Sequence, residues 1–147
     1  MVRVGCESDI DSVLPLADAF WSVTGYEEPF CEESARGFLE LSVSQNMLVV
    51  YEVDGEIAGF ASGIISGLLC NLNAVTGTET AWWVMPEHRG KIGGVLLLRE
   101  LESQAKNAGV KYWNMVYLQE SMPEKVMSIY EGEGYKPVET VVQKRLC

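Results

Sequence analysis

The stretch Val84-Met85-Pro86-Glu87-His88-Arg89-Gly90-Lys91-Ile92-Gly93-Gly94 constrains the fold more than any other part of the chain, because it joins two periodicities through a glycine-rich basic turn. Before it, Thr80 to Met85 is short, bulky and apolar, which suits a buried strand. After it, Gly94, Leu98, Leu101, Ala105 and Ala108 recur at steps of four and three, the mark of a helix with one buried face that ends near Gly109. The turn therefore falls at a helix N-terminus, where the first backbone N–H groups lack intrahelical partners and the helix dipole favours an anion. Glycines let a ligand approach the main chain closely, so the junction suits a pyrophosphate. Glycine in such a turn also has a purely structural reading, and the rest of the chain must decide between them.

Two phosphate-binding patterns fail on spacing. The P-loop needs G-x-x-x-x-G-K followed by Ser or Thr, the dinucleotide fingerprint needs G-x-G-x-x-G, and neither occurs. The turn resembles instead the acyl-CoA turn of the GNAT N-acetyltransferase superfamily: Arg or Gln, two residues, Gly, one residue, then Gly or Ala. Arg89 and Gly94 match its ends, while Ile92 stands where the internal glycine belongs, between Gly90 and Gly93. Either those glycines re-aim the backbone or the β-branched residue weakens cofactor binding.

A second block carries the same resemblance. Ile129-Tyr130-Glu131-Gly132-Glu133-Gly134-Tyr135 follows the family's pattern of apolar residue, Tyr, three residues, Gly, aromatic residue. In the family, the tyrosine that Tyr130 matches lies beside the cofactor sulfur and protonates the departing thiolate, a role that suits a phenol at neutral pH. Tyr130 also lies three residues after Met127 and four after Val126, so packing on a helix face is the alternative. Pro123 and Glu133 depart from the family's frequent Asn and Leu at those places. Ser121 and Glu124 have capping-box spacing around Pro123, which places a helix start near Met122.

The remaining elements follow from pattern. Met1 to Val4 reads as an edge strand. Ser8 and Asp11 signal a cap before a helix whose apolar face carries Ile10, Val13, Leu14, Ala17, Phe20 and Trp21. A second helix, about Cys31 to Ser44, is interrupted by Gly37. Met47–Val53 and Glu56–Ile65 flank Asp54-Gly55, a strong hairpin signal. Gly67 to Gly77 reads as a loop, Lys111 to Leu118 as a strand, and Val138 to Arg145 as a closing strand. The order is β-α-α-β-β-β-α-β-α-β. It matches what the resemblance implies: an α/β (α+β) fold with a mixed central sheet of six to seven strands flanked by four helices, in one domain over residues 1–147.

Bulk properties narrow the function. A chain of 147 residues with 48% hydrophobic content can bury a core, no apolar run reaches the roughly 18 residues of a membrane span, and no signal peptide opens it, so the expected location is cytoplasmic. The net charge of −10 argues against nucleic acid, and no membrane partner is expected. Cys6, Cys31, Cys70 and Cys147 lack metal-ligand spacing and His88 is the only histidine, so no metal is expected and the cysteines read as free thiols. His88, Arg89 and Lys91 concentrate positive charge at the glycine turn.

The resemblance implies an N-acetyltransferase that moves an acetyl group from acetyl-CoA to a primary amine by direct attack. The amine is a small molecule or a peptide, and the oligomeric state stays open, a homodimer included. It places the cofactor on the main chain of Val84 and Met85 and on Arg89, Gly90, Lys91, Ile92, Gly93 and Gly94, with Tyr130 as general acid. Glu79 lies near where several members place the base, directly or through water; the competing reading is a hydrogen-bonding residue at a strand start. Glu27, Glu28, Glu32 and Glu33 border the acceptor side or form a solvated acidic surface. Trp82 and Trp83 must face opposite sides of their strand, so one lines the acceptor or both are covered by helices. The alternative to the enzyme is a non-catalytic acyl-CoA-binding or regulatory module.

Overall fold

A computed structural model describes residues 1–147. Its elements are β1 (Val2–Val4), α1 (Ile10–Trp21), α2 (Glu32–Ser44), β2 (Leu48–Val53), β3 (Glu56–Leu68), β4 (Asn71–Val84), α3 (Gly93–Asn107), β5 (Tyr112–Asn114) and α4 (Pro123–Gly132). The strands form one sheet in the order β1-β2-β3-β4-β5, antiparallel except for the parallel pair β4–β5. The mixed sheet with four helices is the expected fold; its strands number five, not six to seven.

Period-2 alternation divides the apolar residues of β2 and its approach between two cores. Leu48 and Val50 pack with Ile10, Val13, Leu14 and Leu39 under α1 and α2. Met47 and Val49 pack with Leu97, Leu101 and Ala105 under α3. Asp54 and Gly55 both have positive φ, 53° and 86°, as a tight turn between β2 and β3 requires.

The largest departure from the sequence reading is the segment taken as a loop. Residues 67–77 continue a long hairpin, with Leu68 paired to Asn71 and Gly67 to Val75. Gly77 is not a turn residue: a β-carbon there would lie 2.6 Å from the indole of Trp113, and one at Gly63 would lie 2.4 Å from the same ring. These glycines clear space on the sheet for a large side chain, so a packing requirement reads as a turn signal.

The closing strand is absent. Val138, Val141 and Val142 are 82%, 85% and 89% exposed, and the segment has no strand partner. Adjacent valines at 141 and 142 point to opposite sides, so among polar neighbours no single apolar face exists to bury. The tail is tied instead by Arg145 to Glu27 and Glu28, and by the Gln143 amide to the Tyr26 hydroxyl.

Two expected caps also form differently. Ahead of α1, the Ser8–Asp11 cap is not made: Asp9 is the N-cap without a side-chain cap bond, and its carboxylate accepts the Cys6 N–H at 2.8 Å. Ahead of α4, Met122 is the N-cap with φ 50° and no side-chain cap bond, so the Ser121–Glu124 box is not made.

Candidate active site

β4 has a partner on one edge along most of its length and on the other for three residues only. β5 pairs with Thr76, Gly77 and Thr78, and then the chain leaves the sheet, so the expected strand Lys111–Leu118 is reduced to Tyr112–Asn114. From Glu79 to Val84 that edge of β4 is open. A cavity of about 250 Å³ fills the gap, bordered by Glu79, Trp82, Trp83, Tyr130 and, from α1, Phe20 and Trp21. One extra residue in β4, between the partners of Ser62 and Gly63, breaks the side-chain alternation and lets Glu79 and Trp82 border the same space.

Glu79 and Tyr130 are each 4% exposed. Glu79 accepts one hydrogen bond, from the Val116 N–H at 3.2 Å. Burial pushes its carboxyl from the usual 4.5 up to about 8, with that N–H opposing the rise. The Tyr130 hydroxyl donates to the Val116 carbonyl at 2.6 Å. Burial first, and then the charge of Glu79, lift the phenol well above its ordinary value. The main chain of one residue thus holds both groups, an arrangement without side-chain signature in the sequence. Glu79 is left as the carboxyl that changes charge closest to neutrality.

The Tyr130 ring stacks on Trp82 with centroids 5.9 Å apart, and the Trp82 indole N–H donates to the Gly94 carbonyl at 3.1 Å. The cavity is therefore coupled to the first turn of α3. In the turn, Gly90 has φ 76°, a conformation that favours glycine. A β-carbon on Gly93 would stand 2.5 Å from the Tyr51 ring, so this glycine lets the helix start lie directly on β2. Ile92 has ordinary helical dihedrals, φ −66° and ψ −17°, and is 64% exposed. Its side chain enters solvent, and the backbone asks nothing of it that glycine alone supplies.

No side chain caps α3, and its first intrahelical bond runs from the Leu96 N–H to the Ile92 carbonyl at 3.0 Å. The amides of Gly93, Gly94 and Val95 precede it, and they form the donor set that a pyrophosphate needs. Arg89 serves differently from a free phosphate ligand. Its Nε donates to the Val84 carbonyl at 2.7 Å, and its guanidinium lies 4.3 Å from the centroid of Trp83. Lys91 is exposed at the same turn.

The Met85 N–H donates to the Ala58 carbonyl at 2.9 Å and is not free for an oxyanion. Amides alternate between the two edges of a strand, so the Val84 N–H faces the open side. Trp82 and Trp83 do lie on opposite faces, against the α3 and α1 cores, and both reach the cavity. Glu27 and Glu28 pair with Arg145, as a solvated surface would. Phe20 and Trp21 were legible as a helix face but not as a cavity wall. The four cysteines are free and exposed.

A profile of the acetyltransferase (GNAT) family matches residues 11–130. The chain belongs to that family. Among curated proteins none matches it. Solved GNAT-like structures do. A ribosomal-protein-alanine N-acetyltransferase from Brucella melitensis biovar Abortus 2308 shares 16% identity over 99% of both chains, with a TM-score of 0.73. A "predicted acetyltransferase with acetyl-CoA" from Clostridium acetobutylicum shares 16% over 99% of this chain and 95% of its own, with a TM-score of 0.76. An aminoglycoside antibiotic 6'-N-acetyltransferase from Acinetobacter haemolyticus shares 16% over 100% and 98%, with a TM-score of 0.73. At such identity these likenesses speak to the GNAT fold, and no helix in it is long and apolar enough to cross a membrane.

Proposed function

We propose that the protein is an acetyl-CoA-dependent N-acetyltransferase acting on a primary amine by direct attack. One observation carries the reading: a buried carboxyl and a buried phenol share the main chain of Val116 at the open edge of β4, next to an uncapped helix N-terminus. Amides at the start of α3 hold the pyrophosphate, and the main chain of Val84 lines the pantetheine arm. Acetyl-CoA, when bound, supplies an acyl carbon activated as a thioester. The ionised Glu79 takes a proton from the incoming ammonium, directly or through water. The Val84 N–H stabilises the charge that gathers on the acyl oxygen. Tyr130 gives its proton to the sulfur as the C–N bond forms and the C–S bond breaks, and it regains one from the nitrogen as the amide neutralises. Holding both reactants in the gap contributes much of the rate.

The second reading, a non-catalytic acyl-CoA-binding module, is favoured by the bond that ties the Tyr130 proton to Val116. Free thiol is followed while purified protein, acetyl-CoA and a panel of amines are mixed. The enzyme reading expects amine-dependent thiol release that falls in Tyr130→Phe. Cofactor binding with no release above the Tyr130→Phe level in any amine supports the module instead.

A further inference from the structure

The inference rests on the acyl-transfer reading above and concerns the amine. The cavity beside β4 reaches both faces of the sheet, since Trp82 packs with the α3 core and Trp83 with the α1 core. The phosphate-binding amides stand on the α3 side, so the donor enters there and the α1 side is left for the acceptor. That side is aromatic. Phe20 meets Trp83 edge-on, with centroids 6.4 Å apart at 69°, and Trp21 stacks on Tyr26 at 5.2 Å and 15°. Of the fourteen residues bordering the cavity, Glu79 is the only Asp, Glu, Lys, Arg or His.

These facts weigh against a polycation. A polyamine or an aminoglycoside brings several ammonium groups, each needing a carboxylate or water, and the wall offers one carboxyl at its base. Of the acidic residues nearby, Glu27 and Glu28 are engaged by Arg145, and Glu120, beside Gly25, does not border the cavity. The volume of about 250 Å³ lies below the roughly 300–1,000 Å³ of pockets for drug-sized ligands, and the thioester end of the donor shares it, so the amine is limited to about one ring and a short chain. A flat ring fills an aromatic slot by edge and face contacts, and a single ammonium is attracted to the ring faces around it.

We propose that the acceptor is a single-ring arylalkylamine, its ring held between Phe20, Trp21 and Trp83 and its nitrogen directed to Glu79. Thiol release is measured with 2-phenylethylamine, spermidine, kanamycin and an alanyl peptide. The expected result is a kcat/KM for 2-phenylethylamine at least about tenfold above the other three. Trp21→Ala is expected to raise KM for 2-phenylethylamine about tenfold and leave KM for acetyl-CoA unchanged. Without any variant, 2-phenylethanol should compete with the amine and not with acetyl-CoA. Preference for spermidine, kanamycin or the peptide, or no competition by 2-phenylethanol, overturns the inference while the transferase reading stands. Failure of acetyl-CoA to raise the melting temperature, with no thiol released by any amine, overturns both.

Discussion

Asp9 and Glu79 are carboxylic acids buried to nearly the same degree, 8% and 4% exposed, and their surroundings drive them in opposite directions. Asp9 accepts two bonds from the Arg3 guanidinium, at 2.7 and 2.8 Å, and one from the Cys6 N–H at 2.8 Å. Arg3 is held in turn by Glu52 at 2.6 Å, which ties the N-terminal strand to β2. The bonds from Arg3, above all, hold the Asp9 carboxyl well below the usual carboxylate range against the opposing effect of burial. Glu79 has one amide and no cation, and burial raises it to about 8. Burial alone therefore does not set the behaviour of either acid; the completeness of its partners does.

The widest separation between the two is expected in catalysis. Glu79→Gln should lower kcat/KM about a hundredfold to a thousandfold while the fold persists. A base works ionised, so wild-type kcat/KM should climb as pH rises through about 8, and Glu79→Gln should lose that limb. A profile identical in both proteins would end the comparison.

Asp9→Ala should act on stability instead. It strands the Arg3 charge, but Arg3 keeps Glu52 and its side chain is 34% exposed, so a loss of about 2 kcal/mol is expected in urea unfolding, with kcat unchanged. Next in size, Tyr130→Phe should reduce kcat about tenfold and leave KM for acetyl-CoA unaltered.

The pH dependence of unfolding sharpens the contrast, because the two acids slope oppositely. Between the usual 4.5 and about 8 the folded protein holds a proton on Glu79 that the unfolded chain has lost, so stability falls as pH rises through that window. Asp9 is ionised when folded and protonates when unfolded as pH drops through the usual 3.8, so its contribution disappears toward acid. Glu79→Gln should flatten the first slope and Asp9→Asn the second. The smallest effect belongs to Ile92→Gly, which should change KM for acetyl-CoA by less than about twofold, because the side chain at 92 is already in solvent.

The glycine turn, the helix after it and the Asp54-Gly55 hairpin were legible because each depends on residues within a few positions of one another. The long hairpin was missed where Gly77 answers to Trp113, a residue far along the chain. The closing strand was over-read because two adjacent valines raise β-propensity without making a face. Glu79 could be placed in sequence but not weighed, since its acidity comes from what is absent around it. The main-chain bridge at Val116 left no trace in residue identity.

Tyr51 lies against Gly93 so closely that a methyl group at 93 would meet its ring at 2.5 Å. The height of α3 above β2 is thus gauged by an aromatic plate instead of by the turn that leads from β4 into α3. Enlarging residue 93 lifts the helix, and shrinking residue 51 opens a void under it, so each single step is unfavourable alone. A lineage can exchange this pairing for another only by altering both positions together, and the two should be inherited as a unit.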